Sequence, residues 1–575
     1  MAKDWIMAPA WDRCAEAARR WNVPPLVAQV LYNRGLTLDN DPKTFLDPQL
    51  KDLYPPELLP GVREAAGHLA AAVCKRRRIL LYGDYDVDGI TAVAILWHVL
   101  RIAGADVRFY VPHRIGEGYG LNADAIRSIA ADGGDVVVTL DCGITACEVA
   151  RLARELKLEL IITDHHMPGV ERPEALALVH PALEPGYPNR ELCGAGVAFK
   201  LAWALAQELS RNPRVNPEYR EFLMLTALPL AALGTIADVV PLTGENRIIA
   251  RHGLAALPAA PLAGLRALIE SAGLGQSAID GYDVGFKLAP RLNAAGRMGH
   301  ARLAVELLTR ADESRAREIA LYLEEHNRAR QTQERKTTLE AFKMIERAGL
   351  DGDAHRAIVV AGEGWHVGVI GLVAARVVDR FGKPAIVIAL ENGLGHGSGR
   401  SIERLHLCEA LRACGEYLDE FGGHAMAAGL RISAERVGAF AEAFMTHANR
   451  ALTAADLRPK LRVDAETTLD RLDLTTVATI DTLGPFGQGN PKPLLATDWL
   501  ELAGEPRCVG KSGDHLQATF TQNGAVSKAI AFGHARLADL LKEHRRCRVA
   551  FEPIINEYNG RRSVELQVLD FKFPE

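Results

Sequence analysis

Cysteine is scattered rather than patterned in this sequence: nine residues, at 14, 74, 142, 147, 193, 408, 414, 508 and 547, with no C-x-x-C anywhere. That removes support for a zinc ribbon or a disulfide framework and favours reduced thiols in the cytoplasm. Also missing is an apolar run near the roughly 18 to 20 residues that a membrane span needs. The opening stretch "MAKDWIMAPAWDRCAEAARRW" lacks the apolar segment of a signal peptide, so no membrane association is expected. No internal repeat or low-complexity tract occurs, which excludes solenoids and linker-like chains. Neither sign of charge is in large excess, at a formal net −5. This argues against indiscriminate coating of nucleic acid but permits a local basic groove. What is present is a globular composition, 48% apolar and 24% charged, in 575 residues. That is too long for one core and suggests about three or four domains.

Residues 50–310 alternate β-rich runs with helix-length segments. The runs are "ILLYG" (79–83), "VRFYV" (107–111), "DVVVTL" (135–140), "LELIIT" (158–163) and "ALALVH" (175–180). This is the signature of an α/β domain with a parallel sheet. Residues 310–349 lack proline and internal glycine, are rich in Glu, Arg, Lys and Ala, and end on Gly349, so they read as one long bridging helix. A second α/β pattern follows to about 453. Beyond about 457 short β-type runs ("HLQATFT", "SKAIAFG", "RCRVAFEP", "SVELQVLDF") predict a small all-β module. Residues 507–575 carry 11 Lys/Arg against 8 Asp/Glu.

"GDYDVDG" (83–89) mimics the first half of a calcium-binding EF-hand loop. However, the bidentate glutamate due at loop position 12 is Ile95, and the loop follows a strand instead of a helix. It has three companions just past other strand candidates or in a comparable position: "TLDCGIT" (139–145), "IITDHHMPG" (161–169) and "GTIADVVPL" (234–242). In an open parallel sheet the carboxyl ends of the strands share one edge, where ligands bind. Asp84, Asp86, Asp141, Asp164, His165, His166 and Asp238 therefore have the means to converge. So many carboxylates repel unless cations neutralise them. Oxygen-dominated ligands with an imidazole suit Mn²⁺ or Mg²⁺, and a bridging carboxylate suits two ions. A single such aspartate is more often a helix cap or turn residue; four patches at equivalent points favour the metal.

In order, "DYDVDG", "LDCG", "TDHH" and "TIADVVPL" resemble the four motifs of the DHH phosphoesterase superfamily. Further stretches are similar to the RecJ family of bacterial single-stranded-DNA-specific exonucleases. They are "LCGAGVAFKL" (192–201), "RLNAAGRMGHARLAVELL" (291–308), "GWHVGVIGLVAARV" (364–377), "GSGRS" (397–401), "FGGHAMAAGL" (421–430) and "LGPFGQGNPKP" (483–493). The resemblance implies an α/β multidomain fold. An N-terminal extension (1–49) would precede a parallel-sheet DHH domain (50–309), a connecting long helix (310–349), an α/β DHH-associated domain (350–455) and a C-terminal oligonucleotide-binding β-barrel (456–575).

Carried over motif by motif, the implied metal ligands are Asp84, Asp86, Asp141, His165 and Asp238, with Asp141 bridging. Asp88 fits the RecJ form of the first motif but ranks below these five, because related phosphoesterases place other residues there. Asp164 would orient a ligating histidine, and His166 would face the scissile phosphate. Asn293, Arg297, Ser398, Arg400, Ser401, Gly423 and His424 are the implied DNA contacts. The clustered glycines of 393–401 and 422–429 would let backbone N–H groups approach a phosphate; tight turns with a solvated arginine are the plainer account. Gly194 to Gly196 take a packing role. His180 stands where the family has asparagine. The implied activity is two-metal, 5′→3′ hydrolysis of single-stranded DNA to 5′-mononucleotides in repair and recombination. A RecQ-type helicase and a single-stranded-DNA-binding protein would be the partners. The alternatives are a DHH-family phosphodiesterase on oligoribonucleotides or cyclic dinucleotides, or a non-catalytic single-strand-binding relative. Length and the β module disfavour the first, and the intact ligand set disfavours the second.

Overall fold

A computed structural model describes residues 3–112, 120–275, 278–297 and 300–574, with Arg297 described in its backbone alone. The chain forms two compact units, Met7–Glu324 with Arg462–Glu575, and Met1–Ile6 with Glu325–Leu461.

The larger unit is built on a five-stranded, all-parallel sheet. In spatial order its strands are Asp106–Tyr110, Arg78–Gly83, Val136–Leu140, Glu159–Thr163 and Ala177–Val179. These are the five expected runs. Strands buried on both faces can be apolar throughout: Ile79, Leu81, Val136, Val138 and Ile161 join the core on one face, while Tyr82, Val137, Leu160 and Ile162 join that on the other. Against the first face lie the helices Val87–Ile102, Gly194–Ser210 and Leu228–Ala237, all heavily buried. The helical stretch Pro217–Ala237 is long and apolar enough to cross a membrane by length and composition, and a second candidate arises only as a bent pair. Most of Pro217–Ala237 is buried within the fold. Charged residues at its start explain why no uninterrupted apolar run marks it.

The C-terminal β module belongs to the same unit. Its strand Arg546–Tyr558 lies between Leu495–Thr497 and Leu500–Leu502, Arg561–Lys572 ends the sheet path beside Ala525–Ala531, and the pairing of these two long strands closes the sheet into a barrel. An Asn559–Gly560 pair, both at positive φ, turns this hairpin, the preference of a type I′ turn. Trp21, Val27, Val30 and Leu31, from the N-terminal helices Cys14–Trp21 and Pro25–Asn33, share one core with Leu500, Phe520, Val549 and Phe551 of the barrel. The N-terminal segment is thus packed as part of the β module.

The long helix runs Glu313–Arg347. Ala316, Ile319, Ala320 and Leu323 form an i, i+3, i+4, i+7 stripe in the core of the larger unit. Ala341 and Ile345 join the core of the smaller unit. That second unit carries a mixed sheet in the order Glu420–Gly423, Ala427–Ser433, Leu394–Arg400, Ala385–Glu391, Ile358–Glu363.

Candidate metal centre

At the carboxyl edge of the parallel sheet, Gly83 is followed by Asp84, Leu140 by Asp141, Thr163 by Asp164 and Val179 by His180. The hydrogen-bond ladder continues one residue past the strands. Asp84 N–H donates to Leu140 O at 3.2 Å, Asp141 N–H to Thr163 O at 3.0 Å, and Asp164 N–H to Val179 O at 3.2 Å. The backbone is therefore fixed where these side chains leave the sheet. Asp86 caps the helix Val87–Ile102, its Oδ1 accepting the Gly89 N–H at 3.1 Å. Asp238 arrives from the C-terminal end of the helix Leu228–Ala237.

Two backbone details let these groups crowd together. Asp141 sits at φ +65° and Val239 at φ +61°, conformations that β-branched and other L-residues rarely adopt and that cluster at functional sites. Gly194 opens the helix that faces Asp141, and a Cβ there would lie 2.6–2.7 Å from the Asp141 side chain. Glycine before this helix is thus a matter of close approach, the packing role expected of it.

The side chains converge as the sequence suggested. His165 Nε2 lies 3.1 Å from Asp141 Oδ1, 3.6 Å from Asp238 Oδ2 and 3.8 Å from Asp88 Oδ2. Ligand atoms fall into three groups, each within 4.8 Å: Asp84, Asp86 and Asp141; Asp141, His165 and His166; Asp88, His165 and Asp238. Asp141 is common to two of them. Its Oδ1 and the His165 Nε2 are buried without a hydrogen-bond partner, as suits atoms that ligate a cation. A donor set of carboxylate oxygens and imidazole nitrogen fits a hard divalent ion.

Electrostatics support the same reading. Burial, then the charges of Asp88, Asp86, Asp84 and Asp238, push the Asp141 carboxyl well above the usual range. Burial followed by Asp88 and Asp86 raises Asp238 to about 8. Burial and Asp88 also raise Asp86. The cluster resists ionising together until something positive joins it. His165 is held low by burial, leaving a neutral imidazole suited to ligation.

Asp164 and His166 behave differently. Asp164 Oδ1 accepts the backbone N–H groups of His165 (2.7 Å) and His166 (3.1 Å) and pairs with His166 Nδ1 at 2.8 Å, while Oδ2 accepts the Ile144 N–H at 2.9 Å. Burial alone would raise this carboxyl, but its bond to His166 and these N–H donors bring it below the usual range. Burial pulls His166 down, yet Asp164, with Asp238 and Asp84, lifts it to about 9. The pairing with Asp164 favours the protonated imidazole of His166, whose side chain is 41% exposed.

Asp88 and His180 have structural partners that the sequence left unstated. Asp88 Oδ2 accepts the Gly194 N–H at 2.6 Å and Oδ1 the Ala195 N–H at 2.8 Å, so the carboxylate caps the start of the helix Gly194–Ser210. Fully buried His180 places Nε2 2.7 Å from His166 O and accepts the Ala182 N–H on Nδ1 at 3.0 Å. The second contact puts the proton on Nε2, and the imidazole braces the loop carrying His165 and His166. An asparagine amide also offers one donor and one acceptor.

Of the expected DNA contacts, Asn293 lies half-buried on the helix Ala289–Arg297 of the larger unit; the side chain of Arg297 lies outside the described residues. In the smaller unit "LGHGSGR" is an interior strand, so its glycines do not form a phosphate loop. A Cβ on Gly395, Gly397 or Gly399 would meet Ile388, Ile432, Leu430 or Leu407 side chains at 2.6–2.9 Å. These glycines make room for the core, while His396, Ser398 and Arg400 point to the opposite face. There a Cβ on Gly371 would lie 3.0 Å from Ser398 Oγ and 3.3 Å from Arg400 Nη2. Ser401 Oγ donates to Leu405 O at 2.7 Å. Gly423 and exposed His424 lie at the turn of the hairpin Glu420–Ser433.

Sheet, edge and ligand set define a metal-dependent phosphoesterase architecture. Residues 78–227 match the DHH family, N-terminal domain; residues 355–448 match the DHHA1 domain; residues 463–570 match the RecJ OB domain. The single-stranded-DNA-specific exonuclease RecJ of Bacillus subtilis is 39% identical over 569 residues, covering 98% of this chain and 70% of that protein. The Thermus thermophilus protein of the same name is 35% identical over 585 residues, covering 99% and 78%. A crystal structure of RecJ from Thermus thermophilus in complex with Mn²⁺ superposes with a TM-score of 0.84 at 33% identity, covering all of this chain and 80% of that one. The chain belongs to the RecJ family.

Proposed function

We propose that the protein is a single-stranded-DNA-specific exonuclease that degrades DNA 5′→3′ to 5′-mononucleotides by metal-dependent phosphodiester hydrolysis. The convergence of Asp84, Asp86, Asp141, His165 and Asp238 on one sheet edge, with Asp141 Oδ1 and His165 Nε2 buried and without hydrogen-bond partners, is the observation that carries this reading. These five residues would hold the divalent ions, Mn²⁺ or Mg²⁺, two per site, and Asp141 is the carboxylate common to two of the groups of ligand atoms. Bound cations supply Lewis acidity at the scissile phosphate and at the attacking water. Asp164 holds His166 protonated, so the imidazolium donates to a phosphate oxygen as charge builds there. No protein nucleophile is required. Asn293, Arg297, Ser398, Arg400, Ser401, Gly423 and His424 contact the strand, and Arg400 supplies a bidentate phosphate donor.

The β-barrel binds single strands further from the scissile bond. Arg546 lies over the Trp499 ring at 5.2 Å and exposed Phe532 packs edge-on to His515, the mixture of cations and aromatics that suits such a strand. The domains follow the divisions 1–49, 50–309, 310–349, 350–455 and 456–575, with the first packed against the β module. The protein works in the cytoplasm in DNA repair and recombination, beside a RecQ-type helicase and a single-stranded-DNA-binding protein. Isothermal calorimetry with Mn²⁺ on wild type and Asp141→Ala tests the site. Stoichiometry should fall together with digestion of single-stranded DNA; an unchanged stoichiometry would exclude the shared-ligand role.

A further inference from the structure

Outside the metal centre, the helical run from Gly281 to Arg297 displays an unusual surface. It consists of the helix Gly281–Asp283, a wide turn Val284–Leu288 and the helix Ala289–Arg297 without interruption. Val284, Leu288, Leu292 and Ala295 form its buried stripe. On the opposite side Tyr282 and Phe286 stand 60% and 67% exposed, and half-buried Asn293 continues that side. The two rings stack on each other, centroids 4.6 Å apart and 25° between planes. Exposed large aromatics set side by side mark interaction surfaces. The acidic neighbours are engaged locally: Asp280 Oδ1 accepts the Asp283 N–H at 2.9 Å, and Asp283 pairs with Lys287 at 2.6 Å.

The two ends of this run touch the first aspartate motif and the β module. Gly296 lies so close to Tyr85, within the first aspartate motif, that a Cβ would come 2.5 Å from Tyr85 O. Gly281 abuts Phe486 of the β module, where a Cβ would come 3.0 Å from Phe486 O. From Gly296 back to Phe286 is ~15 Å of helix, the length of about four stacked nucleotides. Aromatic faces hold bases without regard to sequence, because every base has a π face.

We propose that Tyr282 and Phe286 form a base-stacking platform for single-stranded DNA between the metal centre and the β-barrel. The proposal rests on the nuclease reading above and adds a site for the strand's bases, distinct from its phosphates. Fluorescence anisotropy with a labelled single-stranded 30-mer, in chelator to prevent digestion, measures it. The double variant Tyr282→Ala/Phe286→Ala should bind about 5- to 100-fold more weakly, the loss that alanine substitution of a stacking ring brings. Tyr282→Trp/Phe286→Trp should bind like wild type. A strand with a central abasic tract, moved along the sequence, should weaken wild type at one position and scarcely weaken the alanine variant there. Losses that simply multiply, or an alanine variant that binds the 30-mer as wild type does, would overturn the platform. A wild type that neither binds nor digests the same strand would overturn the nuclease reading itself.

Discussion

Replacing Asp88 separates a structural brace from a metal ligand. Its carboxylate is 1% exposed and accepts two backbone N–H groups at the start of a 17-residue helix, at 2.6 and 2.8 Å. Asp88→Ala leaves both donors buried and unpaired, at about 1–3 kcal/mol each. Against this, the substitution relieves repulsion on Asp86, Asp141 and Asp238, each of which feels Asp88 as its strongest charged neighbour. In Mn²⁺-loaded protein that relief shrinks, because the cations already neutralise the cluster. The expected net local cost is about 2–4 kcal/mol. Hydrogen exchange of peptides covering 194–201 reads it as roughly 30- to 700-fold faster opening, at tenfold per about 1.4 kcal/mol. Mn²⁺ stoichiometry should stay as in wild type. Unchanged protection with one fewer bound ion would refute the brace and make Asp88 a ligand.

Three further outcomes follow from the same geometry. His180→Asn should retain digestion, since an amide can serve both His166 O and the Ala182 N–H, whereas His180→Ala should lower kcat about tenfold or more with little change in KM; equal behaviour of the two in steady-state assays would refute the bracing role. Metal-free protein should melt at higher temperature at pH 6 than at pH 9. The Asp238 carboxyl, raised to about 8, contributes stability that is present below its ordinary value near 4 and lost as pH rises through 8, so Asp238→Asn in chelator should flatten the profile, and an unaltered slope would contradict this. His166→Ala should lose turnover by orders of magnitude and keep most single-strand affinity, while Arg400→Ala should weaken binding by about 1–3 kcal/mol and recover turnover at high substrate, as single-turnover digestion beside filter binding would show.

Much of this was legible in the sequence because the site obeys the simplest rule of parallel sheets. The strands Arg78–Gly83, Val136–Leu140 and Glu159–Thr163 are largely buried apolar runs, and the residue after each is where chemistry begins. Asp84, Asp141 and Asp164 could be placed on one edge from "RILLYGD", "VVVTLD" and "ELIITD" alone. The long helix was equally plain, since no glycine or proline interrupts Glu313–Arg347.

Other features were hidden because they depend on contacts between distant segments. Asp88 meets Gly194 across 106 residues, and nothing in "VDG" separates a cap for another helix from a ligand. "GLGHGSGRS" suggested loops because glycine usually signals turns. Its alternation with His, Ser and Arg is instead a strand whose inner face must be bare, the crowding by Leu430 and Ile432 being invisible until Ala427–Ser433 pairs with it. A missed signal was available in the Asn–Gly pairs at 392, 523 and 559, each at positive φ between paired strands. They mark hairpins in both β-rich regions. The N-terminal helices gave no sign that their apolar faces belong to a barrel more than 400 residues away.

The most direct test of the central claim is digestion of one single-stranded oligonucleotide, labelled at its 5′ end in one reaction and at its 3′ end in another, with Mn²⁺ or with chelator, by wild type and Asp141→Ala. Wild type in Mn²⁺ should release labelled mononucleotide at once from the 5′-labelled strand and progressively shorten the 3′-labelled one, and neither Asp141→Ala nor wild type in chelator should do so. Tight binding by wild type without cleavage in Mn²⁺ or Mg²⁺, or undiminished cleavage by Asp141→Ala, would contradict it.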